Sequence, residues 1–226
     1  MLPHPKTYPL AAKLRALRKI QDLKTEPCFG ESLYEQIFAL ARPWLQTREN
    51  EVHTEICYAF AERLLSEEGG QPDIVVPAVL LHDIGWIRVP EHLQITAFGP
   101  KMTNPGLRDL HEQQGAEMAK DILAAVGYPD GKAEIVGLIV SRHDSRPDAE
   151  SLEEAIVKDA DKLSRYSREF LAIDSRRFGI SPAENLSRLE GRIETWFLTP
   201  TARRLARAEL EARRLELERE ASPAVK

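Results

Sequence analysis

The run Val75-Val76-Pro77-Ala78-Val79-Leu80-Leu81-His82-Asp83-Ile84-Gly85 decides how this chain folds. It is apolar on every side until it reaches an imidazole and a carboxylate. A run of this kind is a buried strand or a buried helix. Its length and its alanine and leucine content favour helix, with Pro77 tolerated near the first turn and Gly85 ending it. A buried carboxylate needs several kcal/mol of compensation from a partner, from hydrogen bonds or from a metal ion. Adjacent side chains on a helix diverge by about 100°. His82 and Asp83 therefore meet one ion only where the helix ends, unless one of them reaches a second ion.

Working outward, nearly every other segment has helical periodicity. Upstream, Ala11 to Lys24, Glu31 to Gln46 and Glu49 to Leu65 carry apolar residues at helical spacing, and Gly69-Gly70-Gln71-Pro72 breaks the pattern. Downstream, Trp86 to Gly106 contains Pro90, Gly99, Pro100 and Pro105 and reads as a long loop, which in a compact domain is usually functional. Helices are expected over Leu107 to Val126, Lys132 to Arg142, Ser151 to Ile173, Pro182 to Phe197 and Thr201 to Glu220. The last alternates arginine pairs with glutamate, as a solvated face does. Strand signals are scarce, so the expected architecture is all-α. A core over 49–175 is flanked by a helical extension over 1–48 and another over 176–226, the latter with an end that is a candidate for disorder.

The bulk figures exclude some classes of function. At 226 residues and 42% hydrophobic, the chain can bury one sizeable core. A net charge of −5 leaves no global field for long nucleic acid, though local basic clusters can still bind phosphate. No stretch approaches the roughly 20 apolar residues of a membrane span, and Met1 to Lys24 lacks the apolar segment of a signal peptide. The two cysteines, Cys28 and Cys57, form no paired motif. Cys57 reads as a small buried hydrophobe, and a reducing cytoplasm is the simplest compartment.

There are six histidines. His4 and His92 sit in proline-flanked or loop surroundings. His53, His82, His111 and His143 sit in or at the end of expected helices, 29, 29 and 32 residues apart. Four histidines on successive helices of a bundle can converge on one interior point. A lone buried histidine is more often a hydrogen-bonded core residue than a ligand, but four of them, with His82-Asp83 and a later Asp159-Ala160-Asp161-Lys162, shift that balance. Imidazole and carboxylate without thiolate suit Mn, Fe, Co, Ni or Zn, and admit Mg. Asp159 and Asp161 point about 200° apart on a helix, so only one faces such a site. The other is a surface carboxylate or a hydrogen-bond partner of a ligating histidine.

The pattern His53, His82-Asp83, Asp161 resembles the HD superfamily of metal-dependent phosphohydrolases. The phrases VPAVLLHDIGW (76–86), LHEQQGAEMAKDIL (110–123), LIVSRHD (138–144) and IVKDADKLSRY (156–166) carry the resemblance, which covers about Glu49 to Phe170. It implies a helical bundle around a metal centre. His53, His82, Asp83 and Asp161 match the superfamily's four ligands, with Asp161 selected by the Ala-Asp-Lys-Leu phrase. His111 and His143 match the extra histidines of dinuclear members. The resemblance then implies that Asp83 bridges two divalent ions, one also held by His53, His82 and Asp161, the other by His111 and His143.

Catalysis would fall to His82 and Asp83 with the ions, acting on a small phosphorylated substrate such as a nucleotide or other phosphate ester. Arg142, Lys162 and Arg165 are candidates to bind that substrate, with Arg88 and Lys101 in the loop as further cations and Asp144 as an aid to proton transfer. Two other readings stay open. Some six-ligand members of the superfamily hold two irons and oxidise a small organic substrate with dioxygen, and a non-catalytic sensor or interaction module would keep the metal for structure. The charged C-terminal helix makes a homodimer a candidate assembly.

Overall fold

This computed structural model describes residues 31–100 and 102–221, which hold eleven α-helices and two short 3-10 turns. The expected helix over Ala11 to Lys24, together with His4, Cys28, Lys101 and the last five residues, lies outside the described residues. No strand occurs among the described residues, and no helix among them is long and apolar enough to cross a membrane.

The helices are α1 (Glu31–Ala41), α2 (Asn50–Glu68), α3 (Pro72–Leu81), α4 (Glu91–Gln94), α5 (Gly106–Ala125) and α6 (Asp130–Val140). They continue with α7 (Leu152–Ser164), α8 (Arg168–Phe178), α9 (Pro182–Glu190), α10 (Ile193–Trp196) and α11 (Pro200–Ala221). The 3-10 turns are Arg42–Leu45 and Ile84–Arg88. Helix α3 is the axis: Ile74 to Leu81 are all buried, and α1, α2, α6 and α7 pack around it. One apolar core runs from Tyr34 to Leu210, so parts of both extensions share it with the middle of the chain.

Pro77 lies in the middle of α3 rather than in its first turn. A proline there has no N–H to give the carbonyl four residues back. That carbonyl belongs to Asp73, and the Tyr128 hydroxyl donates to it instead. The lost helical bond is thus replaced by a tie to the loop before α6.

Two helices expected to be continuous are interrupted. Ser151 to Ile173 divides at 165–167, because Ser167 caps α8 by accepting from the Phe170 amide. Ser164 turns its hydroxyl back onto the Asp161 carbonyl at 2.6 Å. Pro182 to Phe197 divides at Gly191-Arg192. Gly179, at φ 65°, ends α8 in the left-handed conformation that glycine adopts without strain. The expected long loop after His82-Asp83 is more ordered than its prolines suggest. It contains the Ile84–Arg88 turn and α4, and it closes on a second small apolar cluster of Trp86, Val89 and Ala97. The Gln94 side chain holds it, donating to the carbonyls of Trp86 at 3.1 Å and Val89 at 2.9 Å while accepting from Thr47 Oγ1 at 2.9 Å.

Candidate metal centre

Helix α2 presents His53, and α3 ends at His82. Asp83 opens the following 3-10 turn, α5 carries His111 in its second turn, and His143 follows the end of α6. Asp161 comes from α7. All six are buried, between 0 and 6% exposed. His53 Nε2 is 3.0 Å from His82 Nε2 and 3.1 Å from Asp161 Oδ1. His111 Nε2 is 3.4 Å from His143 Nε2. Asp83 lies between the two pairs and divides its oxygens. Oδ2 is 3.5 Å from His53 Nε2 and 3.8 Å from His82 Nε2, whereas Oδ1 is 3.7 Å from His111 Nε2 and 3.6 Å from His143 Nε2.

The hydrogen bonds fix which nitrogens carry protons. His82 Nδ1 and His143 Nδ1 sit 2.8 and 2.9 Å from the carbonyls of Val79 and Val140, so both must donate there. Ser164 gives its proton to the Asp161 carbonyl and therefore accepts from His53 Nδ1 at 3.1 Å. The Nε2 atoms of these three rings consequently face the cluster, where each can present a lone pair once it carries no proton. Lone pairs 3.0 Å apart repel unless positive charge lies between them. Two donors about 2.1 Å from a common divalent ion, at roughly 90–130° to each other, stand this far apart. The donor set and its spacing fit divalent metal.

Charge points the same way. Burial would raise the Asp83 carboxyl, yet His82, His143, His53 and Arg48 hold it well below the usual carboxylate range. Burial would likewise raise Asp161, but His53 and Arg165 hold it down. Burial pushes His82 down to about 4 against the pull of Asp83. At His143 the hydrogen bond to Asp83 and the charge of Glu112 overcome burial and raise it to about 10. Without metal, then, the cluster keeps two ionised carboxylates and gathers a proton at His143.

Residues 51–166 match the family model for the HD domain. The chain belongs to the HD domain family. A solved structure, that of a predicted HD superfamily hydrolase from an uncultured Thermotogales bacterium, is similar to it with a TM-score of 0.55. The two are 23% identical over 82% of this chain and 89% of that one, a likeness of fold. No curated protein matches the sequence.

Around the candidate ligands of this HD domain the backbone does much of the positioning. A Cβ on Gly85 would overlap the His111 carbonyl oxygen and lie 2.6 Å from Gly115 N, so only glycine lets the 3-10 turn touch α5. That contact brings His111 to Asp83 and to Trp86, whose ring stacks on the imidazole at 4.0 Å. Trp86 Nε1 also donates to Asp83 Oδ1 at 3.0 Å. Buried Glu112 accepts from the amides of Asp144 and Ser145 at 2.6 and 2.9 Å and so fixes the turn that carries His143.

A cavity of about 350 Å³ opens beside Asp161, with Lys162, Arg165 and Asp144 in its lining. Lys162 Nζ donates to the Trp196 carbonyl at 3.0 Å, and Arg165 pairs with Asp174 at 3.2 Å. Arg142 does not line this cavity. Its guanidinium is taken up by Glu150 at 2.8 Å and Glu154 at 2.6 Å, where it braces the loop after His143. Arg88 is exposed and lies over the Trp44 ring. Asp159 is buried on the other side of α7 from Asp161. It is neither a surface carboxylate nor a partner of a ligating histidine, for it accepts from the amides of Leu198 and Thr199 and from the Thr199 hydroxyl at 2.8–2.9 Å.

Several neighbours were not legible beforehand. Cys57, one turn along α2 from His53, places Sγ 3.5 Å from His53 Nε2 and belongs to the same donor group as His53, His82 and Asp161. Burial and the charges of Asp161 and Asp83 push its thiol up, so it stays neutral. The Arg48 guanidinium lies 3.9 and 4.0 Å from the ring centres of Trp86 and Phe98, on backbone held at φ 57°. Its only advance signal was a cation beside an expected helix start.

Proposed function

We propose that this protein is a metal-dependent phosphohydrolase with a dinuclear centre, acting on a small phosphate ester. The observation that carries the reading is Asp83, which offers one carboxylate oxygen to His53 and His82 and the other to His111 and His143. One ion would take His53, His82, Asp161 and Asp83 Oδ2; the second would take His111, His143 and Asp83 Oδ1. Bound divalent ions supply Lewis acidity and a nucleophilic water at neutral pH.

The chain's own residues do the remainder. Val79, Val140 and Ser164 hold three imidazoles in the tautomer that leaves Nε2 free. Trp86 holds Asp83 Oδ1, and its ring shields His111 from water. Arg165 and Lys162, beside Asp161 in the cavity lining, meet the anionic oxygens of the ester. Asp144 lies in the same lining, with its carboxyl raised by burial and by Asp161, and can hold or pass a proton to a leaving oxygen.

The test is phosphate release from a panel of nucleotides and sugar phosphates, with Mn, Fe, Co, Ni, Zn or Mg added separately, beside elemental analysis of protein purified without chelator. Two ions per chain and turnover of at least one ester are expected. No turnover with any metal, but consumption of dioxygen by the iron-loaded protein with an organic substrate, would replace this reading with an oxygenase.

A further inference from the structure

The family match ends at residue 166, yet the cavity beside Asp161 is completed by a later stretch, 178–196. Three hydrogen bonds from α7 and the turn after it dock that stretch and the residues just beyond it. Lys162 donates to the Trp196 carbonyl at 3.0 Å, Tyr166 donates to the Leu189 carbonyl at 2.8 Å, and Asp159 receives the Leu198 amide at 2.9 Å. The helix that carries Asp161 therefore sets where α9 and α10 lie.

The cavity wall is cationic although the chain is acidic. Six lysine and arginine side chains line it, against three aspartates. Four of the six already have partners. Arg165 faces Asp174 at 3.2 Å, Arg146 faces Glu150 at 3.3 Å, Arg108 faces Asp144 at 3.9 Å, and Lys162 is held by a carbonyl. Arg188 and Arg192 differ. Among the described residues neither has a carboxylate within ion-pair distance. Arg188 donates only to the neutral Asn185 oxygen at 3.4 Å. Each guanidinium lies over a ring, Arg188 5.9 Å from Phe178 and Arg192 5.4 Å from Trp196. A cation–π contact at this distance biases a guanidinium toward the ring face while leaving its N–H groups open to a planar or tetrahedral oxyanion.

Lys162 and Arg165, near Asp161 in the chain, are assigned to the phosphate at the metal edge, which leaves the second pair for another anion. We infer that Arg188 and Arg192 form a second oxyanion subsite, so that the substrate carries a further phosphate or carboxylate on its non-reacting part. This rests on the phosphohydrolase reading for the first anion.

The test is calorimetric binding to the Mn-loaded protein of three probes that cannot be hydrolysed: propylphosphonate, 3-phosphonopropionate and propane-1,3-bisphosphonate. Two-anion probes are expected to bind about tenfold more tightly than propylphosphonate, the effect of one charge-assisted contact pair. The Arg188→Gln, Arg192→Gln double variant should bring that ratio near one, and the Arg188→Lys, Arg192→Lys variant should restore part of it. An advantage for only one of the two-anion probes supports the subsite and identifies its oxyanion. No advantage in the parent protein, or a ratio that persists in the glutamine variant, overturns the subsite. Binding of propylphosphonate that is indifferent to metal counts against the phosphohydrolase reading alone, because the subsite is read from the ratio.

Discussion

The two halves of the cluster share Asp83 but are built differently. The half with His53 and His82 has a carboxylate of its own, Asp161, and both Nδ1 atoms are anchored. Among the described residues, the half with His111 and His143 has only Asp83 in common, and His111 Nδ1 is buried without a hydrogen-bond partner. What fixes the His111 ring is the face of Trp86 rather than a hydrogen bond. A site with more charged donors and better-held rings retains its ion more tightly. The first half should thus behave as a permanent site and the second as an exchangeable one.

The sharpest way to break this comparison is to remove what the halves share. Asp83→Ala should empty both and lower turnover by about a thousandfold or more, since each ion loses an anionic donor. Retention of both ions by elemental analysis would show that the halves are independent. Next in size is Asp161→Asn, which should release the first ion and with it activity, set against Asp159→Asn. The second variant should keep its metal but lose about 2 kcal/mol of stability in a denaturant titration, because three donors at the start of α11 lose a charged acceptor. Equal metal loss in the two would mean that α7 presents either face to the cluster.

His111→Ala tests the weaker half directly. One ion per chain should remain, with turnover reduced about a hundredfold and the first ion still resisting dialysis. A chain that loses both ions would make the halves cooperative. The smallest effect is expected from Cys57→Ser. A neutral thiol at the edge of the first half fills space, and metal content should not change, with activity within about threefold. A marked fall in affinity for zinc but not for manganese would instead mark the sulfur as a ligand.

The residues that cluster stood out in the sequence because polar side chains ended or interrupted apolar helical runs, as His82 and Asp83 do after Leu81. Helices whose apolar spacing was unbroken were legible too. The division of 151–173 was not, since Leu163, Phe170 and Leu171 keep helical spacing across it and only the Ser167 cap reveals the break. Asp159 looked like its neighbour Asp161 because composition cannot say which face of α7 meets a segment 40 residues later. Arg142 beside His143 looked poised for substrate, but Glu150 and Glu154 lie nearer in space than adjacency in sequence could disclose. The wall formed by Arg188, Arg192 and Trp196 depends on long-range docking of α9 and α10, for which short motifs carry no signal.

The contact between Gly85 and α5 works as a gauge block. Its thickness is that of two bare main chains, and it sets how far His111 stands from Asp83. Side-chain volume does not enter that thickness, because main chain meets main chain there. A single methyl group at position 85 would enter it. It would wedge α5 outward and carry His111 with it, while His53, His82 and Asp161 stayed in register on their own helices. One carbon atom, placed on a residue outside the cluster, would part His111 from Asp83 without touching the other four side chains of the cluster.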